Sequence, residues 1–192
     1  MQLLEVCKKL VKEKLKDHEA RYIHTLGVVE MASYLAKIYN IDEEKAQIAA
    51  YMHDYCKYDD ITLANELLSD DDIKECCEYP FLYHAYMGAK YFKKYVCDDD
   101  DEIYLAIRNH VFGRRGMTKL EEIIMISDYT EINRKFDDCI LARNLIFEGK
   151  IDLAIFKCIE ETIVYNTKKN KKIHPEQMAV YNEYKERIKL WL

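Results

Sequence analysis

Four histidines and two aspartates in this 192-residue chain stand in apolar sequence, where a polar side chain needs a partner. His53 and Asp54 are adjacent, so an imidazole nitrogen and a carboxylate oxygen come from neighbouring positions. The other four are His24, His84, His110 and Asp128. A single histidine of this kind is more often a hydrogen-bonded core residue. As a set, the six side chains offer about what two octahedral metal ions require when water completes their coordination.

Helices must position these side chains, because the chain has only five Gly and two Pro and no convincing alternating strand. Each of the six lies on or at the end of a segment with helical periodicity. The sequence therefore predicts an all-α fold. The predicted helices cover residues 3–15, 18–40, 42–52, 62–68, 81–95, 102–111, 118–129, 138–148, 151–168 and 176–191.

The second predicted helix carries His24, and its periodicity predicts which of its faces is buried. The residues expected on that face are Ile23, Leu26, Val29, Met31, Leu35 and Ile38.

Several helix boundaries have capping signals. Asp42 is a candidate N-cap, residues 118–121 form a capping box, Gly149 is a stop, and Pro175 fits a first turn. His18 and His174 precede helix starts and are interpreted as exposed or capping. The acidic run at 98–101 could hold a hard cation, although a solvated helix start is the favoured interpretation.

Composition indicates one cytoplasmic domain. We expect a single domain over residues 1–192, with a core at about 18–134 and C-terminal helices at 138–192 packed on it. The net charge of −6 argues against a nucleic-acid or anionic-membrane partner. Seven scattered Cys without a C-x-x-C pair favour reduced thiols. No signal peptide or membrane-spanning run is found.

The order of these residues resembles that of the HD-domain metal-dependent phosphohydrolases, and specifically the YqeK-type bacterial HD proteins. That group is known as symmetrical diadenosine tetraphosphate hydrolases. The resemblance covers about residues 18–175, and proline is common in the family where this chain has Arg115 and Ile132. It rests on RYIHT at 21–25, HDYCK at 53–57, HAYMGA at 84–89, IRNH at 107–110, GRRGMT at 113–118 and SDYTEINR at 127–134.

The resemblance implies how the six ligands divide. His24, His53, Asp54 and Asp128 would hold one metal ion, and Asp54 would bridge to a second ion held by His84 and His110. A hydroxide held between Asp54 and the two ions would be the nucleophile. The resemblance implies iron, whereas the ligand types alone leave iron, manganese, cobalt or zinc open.

A tetraphosphate also needs positive charge near the metal ions. The candidates for phosphate binding are Arg21, Lys57, Arg114 and Arg134, and Arg115 is left open between substrate binding and solvent. The glycines around Arg114 would let backbone N–H groups approach phosphate. Candidates for orienting ligands or contacting substrate are Thr25, Asn109, Glu131 and Asn133. For each arginine, the alternative is an exposed surface charge.

The predicted function is cleavage of diadenosine tetraphosphate into two ADP by water. The substrate would be the only partner, with a homodimer left open. Three alternatives remain: another HD nucleotidase or phosphodiesterase, an oxygen-using di-iron enzyme on the same scaffold, and a non-catalytic nucleotide-sensing module. Product analysis, a requirement for dioxygen, and an absence of turnover would distinguish them.

Overall fold

The computed structural model describes residues 2–189, which fold into helices with no strand among them. This confirms the all-α prediction. The α-helices are α1 (Leu3–Lys14), α2 (Glu19–Ile38), α3 (Glu43–Met52), α4 (Thr62–Leu67), α5 (Asp70–Glu78), α6 (Tyr83–Tyr91), α7 (Asp101–Asn109), α8 (Lys119–Thr130), α9 (Asp137–Phe147), α10 (Ile151–Lys168) and α11 (Pro175–Ile188).

Helix α3 lies at the centre of the half of the bundle that carries the predicted ligands. It packs against α1, α2, α7 and α8. Its residues Ala46, Ala49 and Ala50 are completely buried, and such small side chains let neighbouring helices approach closely. The C-terminal end of α3 is therefore surrounded by helices, and this end is where His53 and Asp54 lie.

The buried face of α2 differs from the prediction. Ile23, Leu26 and Ile38 are 45%, 39% and 52% exposed, so their assignment to the core was wrong. The prediction was right for Met31 and Leu35. Apolar residues occur on most sides of α2, so periodicity alone does not select the face that packs. The residues of α2 that are buried are His24, Thr25, Gly27, Val28, Met31, Ala32, Leu35 and Ala36.

The segment between α4 and α7 is more broken than predicted. Helix α5 was missed because its first turn is acidic, yet Ser69 caps it by accepting a hydrogen bond from the backbone N–H of Asp72. The single helix predicted over 81–95 is instead a 3₁₀ turn at Pro80–Leu82, then α6, then a π-helical turn at Phe92–Val96. The acidic run does start a helix, since Asp100 caps α7 at the N–H of Ile103.

Helices α9 and α10 pack on α8, and α11 packs on α10. Gly149 follows α9 with a φ of 77°, in the left-handed region that favours glycine. His174 caps α11 by accepting a hydrogen bond from the N–H of Glu176, so of its two predicted roles, exposed or capping, the structure shows capping. The end of the last predicted helix, residues 190–191, lies outside the described residues.

Candidate metal site

All six predicted ligands come together at one end of the bundle. His24 lies in the first half of α2, and Asp128 lies near the end of α8. His53 and His110 follow the last residues of α3 and α7, and His84 is the second residue of α6. Five helices that are separated in sequence thus contribute to one cluster.

The side chains form two groups. In each group, one possible ligand atom per residue lies within 4.8 Å of those of the other two. His24 Nε2 is 3.0 Å from Asp128 Oδ1, and His53 belongs to the same group. The second group contains Asp54, His84 and His110.

Asp54 lies between the two groups. Its Oδ2 is 3.4 Å from His53 Nε2, while its Oδ1 is 3.2 Å from His84 Nε2. The two oxygens of this one carboxylate therefore face different groups. A carboxylate in this position is able to contribute to two metal ions at once.

The protonation of two histidines suits metal binding. His53 Nδ1 lies 2.6 Å from the carbonyl oxygen of Ala50, and His110 Nδ1 lies 2.8 Å from that of Ile107. A carbonyl oxygen can only accept, so each Nδ1 carries the proton and donates it. In the neutral ring, Nε2 is then free of a proton and able to bind a metal ion.

Buried atoms in the cluster also fit a metal ion. His24 Nε2, His53 Nε2 and Asp54 Oδ1 are buried and make no hydrogen bond of good geometry within residues 2–189, although polar atoms of the cluster lie 3.0–3.4 Å from them. Burying such atoms without a partner costs free energy. A pair of metal ions bound between the two groups would satisfy these three nitrogen and oxygen atoms.

Burial and nearby charge set the ionisation of these ligands. Burial, with His53 and His84 nearby, lowers the pKa of His110 to about 3. Burial also lowers the pKa of His84. Burial alone would raise the pKa of Asp54, but His53, His84 and Lys57 hold it well below its usual range. At neutral pH the cluster thus offers neutral imidazoles at His84 and His110 and an ionised carboxylate at Asp54. At His53, burial alone would lower the pKa, but the neighbouring Asp54 raises it.

Glu131 supports His24 from behind. Its Oε1 lies 3.3 Å from His24 Nδ1, and its Oε2 accepts a hydrogen bond of 2.7 Å from the backbone N–H of Asn133. A carboxylate on the far nitrogen of a ligating histidine fixes the ring's orientation. Gly27 makes room for it, because a Cβ there would lie only 2.3 Å from Glu131 Oε2.

Three of the four predicted phosphate-binding residues border the cluster. Arg21 Nη1 is 2.7 Å from Asp54 Oδ2, and Arg134 Nη2 is 2.8 Å from Asp128 Oδ1. Lys57 Nζ is 3.2 Å from Asp54 Oδ1 and 3.1 Å from His84 Nε2. Each of these cationic side chains is a quarter to a third exposed. They combine contact with the cluster and access from solvent.

The fourth candidate, Arg114, is held elsewhere. Its guanidinium donates two hydrogen bonds of 2.7 Å to the carboxylate of Glu121. Asn109 donates to the same carboxylate, at 2.8 Å. Glu121 also completes the capping box with Thr118, as predicted. These contacts stabilise the loop before α8, and substrate contacts for Arg114 and Asn109 stay predictions.

The glycine loop at 113–116 directs two of its backbone N–H groups to carboxylates of α11. The N–H of Arg115 donates to Glu176, and that of Gly116 donates to Glu183. The hydroxyl of Thr25 donates to the carbonyl of Arg21 within α2, away from the ligand atoms. Within residues 2–189 none of these three groups makes a hydrogen bond to the six predicted ligands.

Arg143 of α9 is a residue that the sequence analysis missed. Its buried guanidinium donates to the backbone carbonyl oxygens of Thr130, Glu131 and Arg134, at 2.6–2.8 Å. It thereby fixes the turn after α8 that carries Glu131 and Arg134. The available signal was an arginine within the apolar run CILARNLIF at 139–147.

The comparisons agree with this fold. A family profile described as the HD domain matches residues 21–133, which contain all six predicted ligands. The helical fold and the His53-Asp54 pair, with the predicted ligands of four other helices around it, fit a protein of this class. The chain therefore belongs to the HD domain family, whose hydrolases bind divalent metal ions.

Three relatives are named symmetrical bis(5'-nucleosyl)-tetraphosphatase. The protein of Halalkalibacterium halodurans is 42% identical over 91% of this chain and 92% of its own length. That of Bacillus subtilis is 36% identical over 90% and 92%, and that of Staphylococcus aureus is 32% identical over 97% and 98%.

A solved structure gives the same picture. A predicted HD superfamily hydrolase involved in NAD metabolism, from Clostridium acetobutylicum, is 32% identical and superposes with a TM-score of 0.81. The match covers 92% of this chain and 96% of that one. Within the described residues, no helix has the length and apolar character needed to cross a membrane.

Proposed function

We propose that this protein hydrolyses diadenosine tetraphosphate symmetrically, giving two ADP. Two observations together support the proposal. The six predicted ligands form one cluster, and relatives named for this one activity match nearly the whole chain. Water would attack one of the two inner phosphorus atoms. The bond from that phosphorus to the central bridging oxygen would break, and ADP would leave.

We propose that His24, His53 and Asp128 hold one metal ion, that His84 and His110 hold a second, and that Asp54 contributes to both. Such a pair, when bound, lowers the pKa of a shared water and offsets negative charge on phosphate. The nitrogen and oxygen donors suit iron, manganese, cobalt or zinc. Iron is our choice on the family resemblance.

The protein's own cations would position the tetraphosphate. Arg21, Lys57 and Arg134 border the cluster on its accessible side, so they can meet phosphate oxygens as a ligand approaches. In the absence of substrate they neutralise Asp54 and Asp128. Asp54, buried and ionised, would accept a hydrogen bond from the attacking water and so fix its direction.

We propose that the enzyme works in the cytoplasm. All seven cysteines are free thiols, which suits a reducing compartment. The single-domain organisation over residues 1–192 also stays our proposal, supported by the packing of α9 and α10 on α8.

Anaerobic purification, metal analysis and separation of nucleotide products would test the proposal. We expect about two metal ions per chain and ADP as the sole product from diadenosine tetraphosphate. His53→Ala should remove both, and Lys45→Ala, a change at an exposed ion pair with Glu102, is the control. Bound metal with products other than ADP would contradict the substrate. An absence of bound metal would contradict the site.

A further inference from the structure

A cleft opens beside His84 on the accessible side of the cluster. Its volume is about 370 Å³, which is within the range of pockets that hold small ligands. Lys57 and His84 lie in its lining, so the cleft is continuous with the proposed metal site. The aromatic residues Phe81 and Tyr83 also line it.

Contacts outside the cleft hold the two aromatic residues in place. The ring of Phe81 makes edge-to-face contacts with Tyr79 and Phe112, with centroids 6.1 and 6.2 Å apart. The hydroxyl of Tyr83 lies 3.3 Å from Cys77 Sγ. An aromatic wall of this kind can stack on a purine base.

Asp59 provides a specific polar group in the same lining. One of its carboxylate oxygens, Oδ1, pairs with Lys14. The other, Oδ2, is buried and makes no hydrogen bond of good geometry within the described part of the chain, where the Cys56 thiol is the neighbouring polar group of the carboxylate. An ionised carboxylate oxygen can only accept a hydrogen bond, so its natural partner is an N–H or O–H group of a ligand.

We infer that this cleft binds one adenosine of the substrate, with the base against Phe81 and Tyr83 and its 6-amino group donating to Asp59 Oδ2. The inference rests on the proposed function and extends it to recognition of the base. The cationic Lys57 at the cluster suits the phosphate end. The apolar wall and the unpaired acceptor suit the base, which is the part of a nucleotide farthest from its phosphates.

Nucleotide binding to the metal-loaded protein tests this inference. Titration calorimetry should compare ADP, inosine diphosphate, which lacks the 6-amino group, and inorganic pyrophosphate, which lacks the nucleoside. We expect the wild type to bind ADP about tenfold more tightly than inosine diphosphate, since the acceptor is left unpaired with the latter. Asp59→Ala should bind both nucleotides alike, with affinity for pyrophosphate unchanged.

Lys14→Gln is the matched control, because it breaks the same ion pair and keeps the carboxylate. It should preserve the preference for ADP. Equal affinity of the wild type for ADP and inosine diphosphate would overturn the inference, as would an equal loss of affinity for pyrophosphate in Asp59→Ala. The wild-type comparison does not depend on how well a variant folds.

The binding data also separate this inference from the proposed function. Discrimination through Asp59 without cleavage of diadenosine tetraphosphate would overturn the proposed reaction and support the base site. Cleavage to ADP without discrimination would support the reaction and overturn the base site.

Discussion

Glu131 and His24 face each other behind the proposed metal site, with 3.3 Å between Oε1 of the carboxylate and Nδ1 of the imidazole. The other nitrogen of the same ring lies 3.0 Å from Asp128 Oδ1. His24 is thus held from both sides, and its orientation depends on a residue 107 positions away along the chain.

This relationship predicts the effect of Glu131→Gln. The amide keeps the size of the side chain but removes the charge that polarises His24, so we expect 10- to 100-fold weaker metal binding. Metal affinity is measured by competition with a chelator. Glu30→Gln, an exposed change on the same helix as His24, is the control. Unchanged metal affinity in Glu131→Gln would show that the carboxylate has no part in positioning His24.

Gly27 gives a second prediction about the same carboxylate. In Gly27→Ala the new Cβ would meet Glu131 Oε2 at 2.3 Å, so Glu131 must move away from His24. We expect weaker metal binding and lower activity. Gly88→Ala is a matched control within another helix, because its Cβ would find its nearest neighbours at 3.6 Å. Full metal content in Gly27→Ala would mean that Glu131 can move away from His24 without weakening metal binding.

Arg143→Met should disturb the site without touching a ligand. The change leaves the buried carbonyl oxygens of Thr130, Glu131 and Arg134 without their donor. We expect a loss of about 2–4 kcal/mol in the free energy of unfolding, measured by urea denaturation. Metal affinity should fall as well. Asn144→Ala, at the next and exposed position, should change neither quantity.

Glu122 should make stability depend on pH. Burial alone would raise the pKa of this carboxyl, but hydrogen bonds from Lys119, Tyr184 and Arg187 lower it below its usual 4.5. Its contribution is therefore complete above pH 4.5 and is lost as the pH falls through the lowered value. We expect Glu122→Gln to cost about 2 kcal/mol at pH 7, because charged hydrogen bonds are lost.

Urea denaturation at several pH values checks this prediction. The difference between Glu122→Gln and the wild type should shrink as the pH falls below 4.5, where the wild-type carboxylate becomes protonated. Glu148→Gln, on an exposed ion pair, should behave as the wild type at every pH. A difference that is constant with pH would show that the charge of Glu122 is not what stabilises α11.

The sequence allowed the fold and the ligand cluster to be predicted for one reason. His53, His110 and Asp128 are polar residues at the ends of apolar helices, where burial is expensive without a partner. The positions of Arg143 and Arg114 could not be predicted in the same way. Arg143 binds backbone carbonyl oxygens, and backbone groups leave no mark in the sequence. Arg114 pairs with Glu121 because of a loop shape that its residue types do not specify.

The prediction of the buried face of α2 was wrong for a different physical reason. Periodicity identifies a face when polar residues occupy the opposite side, but α2 has apolar residues on both sides. The polar His24 and Thr25 are buried, whereas Ile23 and Leu26 are exposed. The face of α2 that packs against the bundle therefore carries these two polar residues in place of two predicted apolar ones.

His53 and His110 are each oriented by a carbonyl oxygen three residues earlier on the same helix end. The orientation of each ring is therefore set locally, by a hydrogen bond to the backbone at its own helix end. Because the acceptor is a backbone carbonyl oxygen, this hydrogen bond does not depend on the identity of side chains elsewhere in the bundle. We therefore expect both rings to keep their direction when residues of the surrounding helices are substituted. His24 has no such local carbonyl contact and relies on Glu131, so the substitutions that damage this centre should concentrate around α2 and the turn after α8.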